Sequence, residues 1–142
     1  MLEIKSQLDL TAAVKKGDLR KLDGKLIVDI QGEIEIFADN KLFFYEASLA
    51  VLEFACCLKE WDRKRDLFYY TLEHDDSAGP ILAFLHERGD MWKLQSIWQE
   101  YEMTASIIGV DMRNAVETFL ENFNKELEKQ YHFTLERFLR RR

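Results

Sequence analysis

The chain has 142 residues, the length of a single domain, and 47% of them are hydrophobic, so an intrinsically disordered chain is excluded. Its net charge of −6 argues against nucleic acid as the main ligand and favours a cationic partner. No run approaches the ~20 apolar residues of a membrane span, and the two cysteines are neighbours, which excludes a framework of disulfides and indicates a reducing compartment.

Three strands are predicted in the first part of the chain. Residues 2–10 alternate between apolar and polar residues, the period of two that is typical of a half-buried strand. Residues 25–40 contain two apolar runs on either side of Gln31 and Gly32, which predicts a tight hairpin there. The polar residues 11–24 are expected to connect the first strand to this hairpin, with one helical turn.

A largely enclosed helix is predicted over residues 46–61. This stretch has no Gly or Pro, is rich in Ala and Leu, and is apolar on nearly every side. Glu46, Glu53 and Glu60 are seven residues apart, almost two turns, so they would form one narrow stripe of carboxylates. Glu53 lies among apolar neighbours, and if it is buried it needs a partner or a raised pKa.

The rest of the chain predicts a meander followed by a long helix. Three strands are expected at residues 67–73, 80–86 and 91–101. Apolar residues at helical spacing predict a helix over about residues 111–140, with Asp111 as its N-cap and a break near residues 132–134. The order β-β-β-α-β-β-β-α belongs to the α+β class. We expect one antiparallel sheet of about five to six strands with two helices packed on one face, in a single domain over residues 1–142.

Aromatic residues on the predicted strands divide into core and surface candidates. Alternation in the third strand of the meander puts Trp92 and Trp98 on the same face as Leu94, so both tryptophans are expected in the core. Tyr69 and Tyr101 are expected on the open face, where exposed aromatic side chains are typical of binding hot spots.

The main candidate site is a polar cluster of four residues: Glu73, His74, Asp75 and Asp76. The turn-forming residues here indicate a loop between two strands. His74 beside Asp75 also suits acid–base chemistry or part of a metal site. No nucleophile, paired metal ligand or glycine-rich substrate loop accompanies it. We therefore expect no catalytic residue, no metal and no cofactor, and we interpret the cluster as a docking loop.

The succession of patterns over residues 25–130 resembles a known group of proteins. A hairpin, a helix that ends in Trp61, and three strands that carry Trp92 and Trp98 follow one another here. This succession is similar to small bacterial proteins of unknown function, some of which are similar to the immunity proteins that accompany polymorphic toxins. The resemblance implies a non-catalytic inhibitor that occludes a basic toxin by surface complementarity.

The leading hypothesis is therefore a cytoplasmic binding protein, with an immunity-type inhibitor as its narrower form. It would bind a basic protein, and neither nucleic acid nor a membrane, through the acidic cluster and the two tyrosines of the open face. Residues 73–102 support this hypothesis because they contain seven acidic side chains and two basic ones.

Two alternatives from other classes stay open. One is a metal-dependent or acid/base enzyme centred on His74, Asp75 and Asp76, with Glu53 as a further member. The other is a self-associating domain, a homodimer formed through an exposed sheet edge or through the long C-terminal helix.

Overall fold

The computed structural model of the protein describes residues 1–70 and 76–141. Within this part of the chain, seven strands form two antiparallel sheets, and five α-helices pack with them. The predicted α+β class is confirmed. The strands form one sheet of three and one of four instead of a single sheet, and the described helices number five instead of two.

The first sheet has the order β1-β2-β3 and is formed by Leu2–Leu8 (β1), Gly32–Ala38 (β2) and Lys41–Leu49 (β3). Side chains along β1 and β2 alternate between buried and more exposed, which places Ile4 and Ile36 in the core. The β2–β3 hairpin turns at Asp39 and Asn40, whose positive φ angles (51° and 67°) are those of a two-residue type I′ turn.

The predicted turn at Gln31 and Gly32 is wrong. The residues before β2 form two short helices, α1 (Lys16–Lys21) and α2 (Leu26–Asp29). Leu26 and Ile30 are four residues apart and both are fully buried. This apolar run therefore covers the core as one helical turn, in which residues four apart lie on the same face.

The enclosed helix begins later than predicted. β3 continues to Leu49, and the helix α3 spans Val51–Glu60. Glu46 lies in the strand, opposite Ile34 of β2, so the predicted stripe of three glutamates is wrong. The aromatic residues at positions 43–45 favour extended structure, and pairing with β2 holds the chain extended past the start of the Ala- and Leu-rich stretch.

The second sheet has the order β4-β5-β6-β7 and is formed by Leu67–Tyr69 (β4), Leu82–His86 (β5), Met91–Gln95 (β6) and Ile107–Ile108 (β7). β6 ends well before residue 101, because the N–H of Trp98 donates to the Ser96 hydroxyl at 2.9 Å and the chain turns there. Trp98 is 43% exposed, so its prediction as a core residue is wrong, whereas Trp92 is buried as predicted.

The long C-terminal helix is interrupted where the sequence predicts a break. The helices are α4 (Gly109–Tyr131) and α5 (Leu135–Arg140). His132 ends α4 with a positive φ of 63°, and the Thr134 hydroxyl caps α5 by accepting the N–H of Arg137 at 3.3 Å. The prediction of Asp111 as N-cap is wrong, because α4 begins two residues earlier and Asp111 lies in its first turn.

Helix α4 contacts both sheets, and it forms one side of a groove beside the first sheet. Its buried face is the predicted apolar one: Met112, Ala115, Val116, Phe119, Leu120, Phe123 and Leu127. The helix contacts β1 of the first sheet and β6 and β7 of the second sheet. Its first residue, Gly109, donates its N–H to the carbonyl of Asp90. The rest of α4 lies along β1, the edge strand of the first sheet.

Candidate binding groove

A groove of about 850 Å³ lies between β1 and α4. Its strand side consists of residues 1–6, and Ala115, Phe119 and Phe123 form the apolar part of its helix side. The other helix residues that line it are polar or charged: Asp111, Asn114, Thr118, Asn122, Lys125, Glu126, Lys129 and Gln130. Such a volume is typical of a ligand-binding site.

One hydrogen-bonding edge of β1 faces away from β2. Asp9, next to β1, donates its N–H to the carbonyl of Gln31 at 2.9 Å. Because bonded pairs alternate along an antiparallel ladder, the odd-numbered residues of β1 bond to β2 and the even-numbered ones do not. Leu8 agrees with this geometry, since its N–H donates to the carboxylate of Glu126 on α4 at 3.2 Å.

The other outward-facing N–H and C=O groups of β1 belong to Leu2, Ile4 and Ser6, which all line the groove. Within the described residues, β1 pairs with β2 alone. This edge therefore has no strand beside it there. A free strand edge presents a row of N–H and C=O groups with which an added strand can pair.

Strand β1 and helix α4 run in the same direction along the groove. Glu126 contacts Leu8 at one end, and Met1 and Asp111 line the groove together. Residues 111 and 126 are roughly 22 Å apart along a helix, and residues 1 and 8 are roughly 23 Å apart along a strand. The matching lengths indicate that Asp111 lies toward Met1.

The charged side chains of the groove balance in number. Three are acidic and three are basic: Glu3, Asp111, Glu126, Lys5, Lys125 and Lys129. On the helix side the carboxylate of Asp111 lies at one end. At the other end Lys125 and Lys129 lie beside Glu126, whose carboxylate accepts the N–H of Leu8, so this end carries one net positive charge. A neutral polar row lies between these two ends and consists of Asn114, Thr118 and Asn122, which are spaced four residues apart on the helix.

The polar cluster predicted as a docking loop lies mainly outside the described residues. Glu73, His74 and Asp75 belong to the part of the chain that is not described. Asp76 begins a short 3₁₀ helix, Asp76–Ala78. The binding role of this cluster stays a prediction, as does the enzyme centred on it.

Tyr69 is buried, so the prediction that it lies on an open face is wrong. Only 2% of it is exposed, and its ring packs against Phe54 with the ring centroids 5.1 Å apart. Its hydroxyl donates to Oε1 of Glu53, which is half-buried, at 3.1 Å. Burial raises the pKa of the Tyr69 phenol, and the carboxylate of Glu53 raises it further.

Tyr101 is half-buried against the first sheet instead of lying on an open face. Its hydroxyl donates to the carbonyl of Ala38 at 3.1 Å, and its ring meets Phe43 edge-on with the centroids 5.6 Å apart. Burial raises the pKa of Tyr101, with a smaller contribution from Asp39. The side chain therefore ties the loop after β6 to the β2–β3 hairpin.

Two acidic residues of the stretch at 73–102 are neutralised within the chain. Glu87 accepts a hydrogen bond from the Ser106 hydroxyl and lies 3.4 Å from Nζ of Lys93. Asp90 accepts two hydrogen bonds from the guanidinium of Arg113, at 3.0 and 3.1 Å. These partners hold the pKa of both carboxyls below the usual value. The acidic surface is therefore weaker than the count of residues implies.

The adjacent cysteines contribute to the packing of α3. Cys56 is buried, and Cys57 is half-buried. Burial raises the pKa of the Cys57 thiol to about 11, with smaller contributions from Glu53 and Glu60. Because the thiolate is the reactive form, Cys57 is unreactive near neutral pH.

Within residues 1–70 and 76–141, no group of three or more His, Cys, Asp or Glu side chains is placed to hold a metal ion. No helix in this described part is long and apolar enough to cross a membrane.

Sequence reasoning missed the groove. The alternation of residues 2–10 predicts a strand, but it does not indicate which of its two edges is open. The available signal was the polar row on α4, in which Asn114, Thr118 and Asn122 recur every four residues beside an apolar face. The hypothesis of an exposed sheet edge came closest to the observed site.

A family model described as "Domain of unknown function (DUF7878)" matches residues 4–129 of the chain. The match covers most of the chain, so the protein belongs to that family. It includes most of β1 and nearly all of α4, the two elements that form the groove. No curated protein and no solved structure matches the chain.

Proposed function

We propose that this member of the DUF7878 family is a non-catalytic protein-binding domain of the cytoplasm, and that it binds a polypeptide in the groove between β1 and α4. The observation that carries the proposal is the open edge of β1, whose outward-facing N–H and C=O groups line this groove. An open edge with a wall beside it supplies main-chain hydrogen bonds on one side and side-chain contacts on the other.

The chemistry of the lining supports a binding role. Amides, a hydroxyl and balanced charges form the polar wall, and an apolar strip from Phe119 and Phe123 lies beside it. Such a mixture suits a segment of chain with polar and apolar side chains.

Site-specific photo-crosslinking tests this function. A benzophenone amino acid placed at Thr118 projects from a groove-lining position, whereas the same probe at Glu128 is exposed on α4 outside the groove. Irradiation in cells that contain the natural partner should give one discrete adduct from position 118, identified by mass spectrometry as a polypeptide, and none from position 128. Equal labelling from both positions, or none from position 118, contradicts the proposal.

The immunity-type inhibitor is a narrower form of the same proposal. It is supported by the net charge of −6 and by the exposed side chains of Glu100 and Glu102. A basic toxin bound through such acidic residues would dissociate as salt is raised, because exposed charges are screened. Glu102→Lys should then weaken binding more than Glu128→Lys does, and equal affinity of the two variants at low salt would exclude the acidic surface.

A further inference from the structure

We infer that the groove holds an extended peptide as an added antiparallel strand on β1, with an acidic residue beside Lys125 and Lys129 and a basic residue beside Asp111. This inference rests on the proposed function and names the class of its partner. The partner is recognised by its main chain and by the order of its charges.

The outward edge of β1 limits the length of the added strand. Glu126 already accepts the N–H of Leu8, so that end of the edge is closed. Leu2, Ile4 and Ser6 remain, and each can exchange an N–H···O=C pair with an antiparallel partner. Three such pairs correspond to a peptide segment of about five to six residues.

The polar row on α4 has the spacing that an extended peptide needs. Residues four apart on a helix are separated by about 6.0 Å along its axis, and residues two apart on a strand by about 6.6 Å. Alternate side chains of an added strand therefore meet Asn114, Thr118 and Asn122 in turn. Amide and hydroxyl groups accept and donate hydrogen bonds, which favours polar peptide side chains on that face.

The two ends of the groove fix the direction of the peptide. An antiparallel strand on β1 begins beside Lys125 and Lys129 and ends beside Asp111. A carboxylate near the start of the peptide and a cation near its end therefore complement both ends. Every strand pair described in the two sheets is antiparallel, and antiparallel pairing is the more stable kind.

A second copy of the chain fits this edge less well than a peptide does. Pairing of two β1 edges about a two-fold axis would bring the two α4 helices together. Their groove-facing positions include Asn114, Thr118 and Asn122, whereas permanent homodimer interfaces are apolar. The polar wall favours a short peptide segment of another protein.

Two capped pentapeptides of equal composition test the inference: Glu-Val-Thr-Val-Lys and Lys-Val-Thr-Val-Glu, each acetylated and amidated. Their first, third and fifth side chains share one face of an extended chain, so both charged residues can lie toward α4. The glutamate-first peptide should bind the full chain about tenfold more tightly than its reverse, because two charge contacts form only when the glutamate comes first. Lys129→Glu, an exposed change, should reduce or reverse this preference. An equal affinity for both peptides, or an unchanged preference in Lys129→Glu, overturns the assigned direction.

Substitutions at Ser6 separate strand addition from other modes of binding. Ser6→Pro removes an outward-facing N–H without removing a β1–β2 bond, and proline is tolerated on an edge strand. It should weaken the glutamate-first peptide by about tenfold or more, because one hydrogen bond is lost and the ring blocks the edge. Ser6→Ala keeps the N–H and should stay within about twofold of the parent.

The remaining outcomes distinguish the inference from the function on which it rests. Full affinity in Ser6→Pro overturns strand addition, while a specific crosslink from Thr118 would still support the binding function. If the chain dimerises as its concentration rises and Ser6→Pro abolishes the dimer, the edge of β1 binds a second copy of the chain. That result would overturn the inference that it binds a peptide of another protein. Failure of both peptides at millimolar concentration, together with no crosslink from Thr118, overturns the function itself.

Discussion

Replacing Gly32 by alanine should destabilise the protein because β1 and β2 leave no room between them for a methyl group. A Cβ at this position would lie 2.4 Å from the carbonyl oxygen of Gln7 and 3.1 Å from its carbon, both backbone atoms of β1. Ordinary contact begins at 3.4 Å, so β1 and β2 would have to separate by 3.4 − 2.4 = 1.0 Å. The neighbouring bond from Asp9 to Gln31 resists this movement.

The expected loss can be worked from these contacts. Overpacking costs about 1–3 kcal/mol, and a weakened ladder bond costs about 1 kcal/mol. The lower entropy of alanine in the unfolded chain offsets about 0.5–1 kcal/mol. Gly32→Ala should therefore lower the free energy of unfolding by about 2 kcal/mol, and Tm by about 6 °C in a chain of this size.

Gly17→Ala is the matched control. Gly17 lies in α1 with no atom within 4 Å of a built Cβ, so alanine should raise stability there by up to about 1 kcal/mol. Urea unfolding of the two variants and the parent measures both differences. Equal stabilities of Gly32→Ala and the parent would refute the close approach of β1 to β2.

Three further predictions follow from the same contacts. In a Cys56→Ala background, the rate of alkylation of Cys57 should keep rising from pH 9 to pH 11. The free energy of unfolding should fall over the same window, because the folded chain keeps a thiol proton that the unfolded chain releases. A rate that reaches its plateau at pH 9 would contradict the raised pKa. Glu126→Ala should speed amide exchange at Leu8 and not at the rest of β1; an unchanged rate would exclude that bond. Phe138→Ala should cost about 3–5 kcal/mol in urea unfolding if α5 is docked, as the burial of Phe138 indicates, and a loss below 1 kcal/mol would contradict docking.

The sequence predicts local periodicity well where one face is clearly apolar. The alternation of β1 and the helical spacing in α4 both have one buried face, and the predicted break at residues 132–134 is confirmed. The hairpin error at Gln31 and Gly32 has the opposite cause. Residues 26–30 are apolar except for Asp29, and this run is too short to distinguish a strand from one helical turn.

The site could be predicted only in part, because it depends on contacts between distant segments. Residues 1–6 and α4 are more than a hundred positions apart, and no local pattern states that they lie side by side. Tyr69 shows the same limit: alternation places it on one face of its strand, but only the packing of α3 shows that this face is covered. The charges at Glu87 and Asp90 were counted correctly, yet their partners are brought together by the fold.

Residue-resolved amide exchange of β1, with and without the glutamate-first peptide, tests the central claim most directly. In the free protein, Lys5 and Gln7 should exchange slowly because their N–H groups bond to β2, whereas Ile4 and Ser6 should exchange fast because theirs face the groove. Saturating peptide should slow Ile4 and Ser6 by about tenfold or more and leave Lys5 and Gln7 unchanged. Slow exchange of Ile4 and Ser6 in the free protein, or fast exchange of both in the complex, would contradict an open edge that takes up a strand.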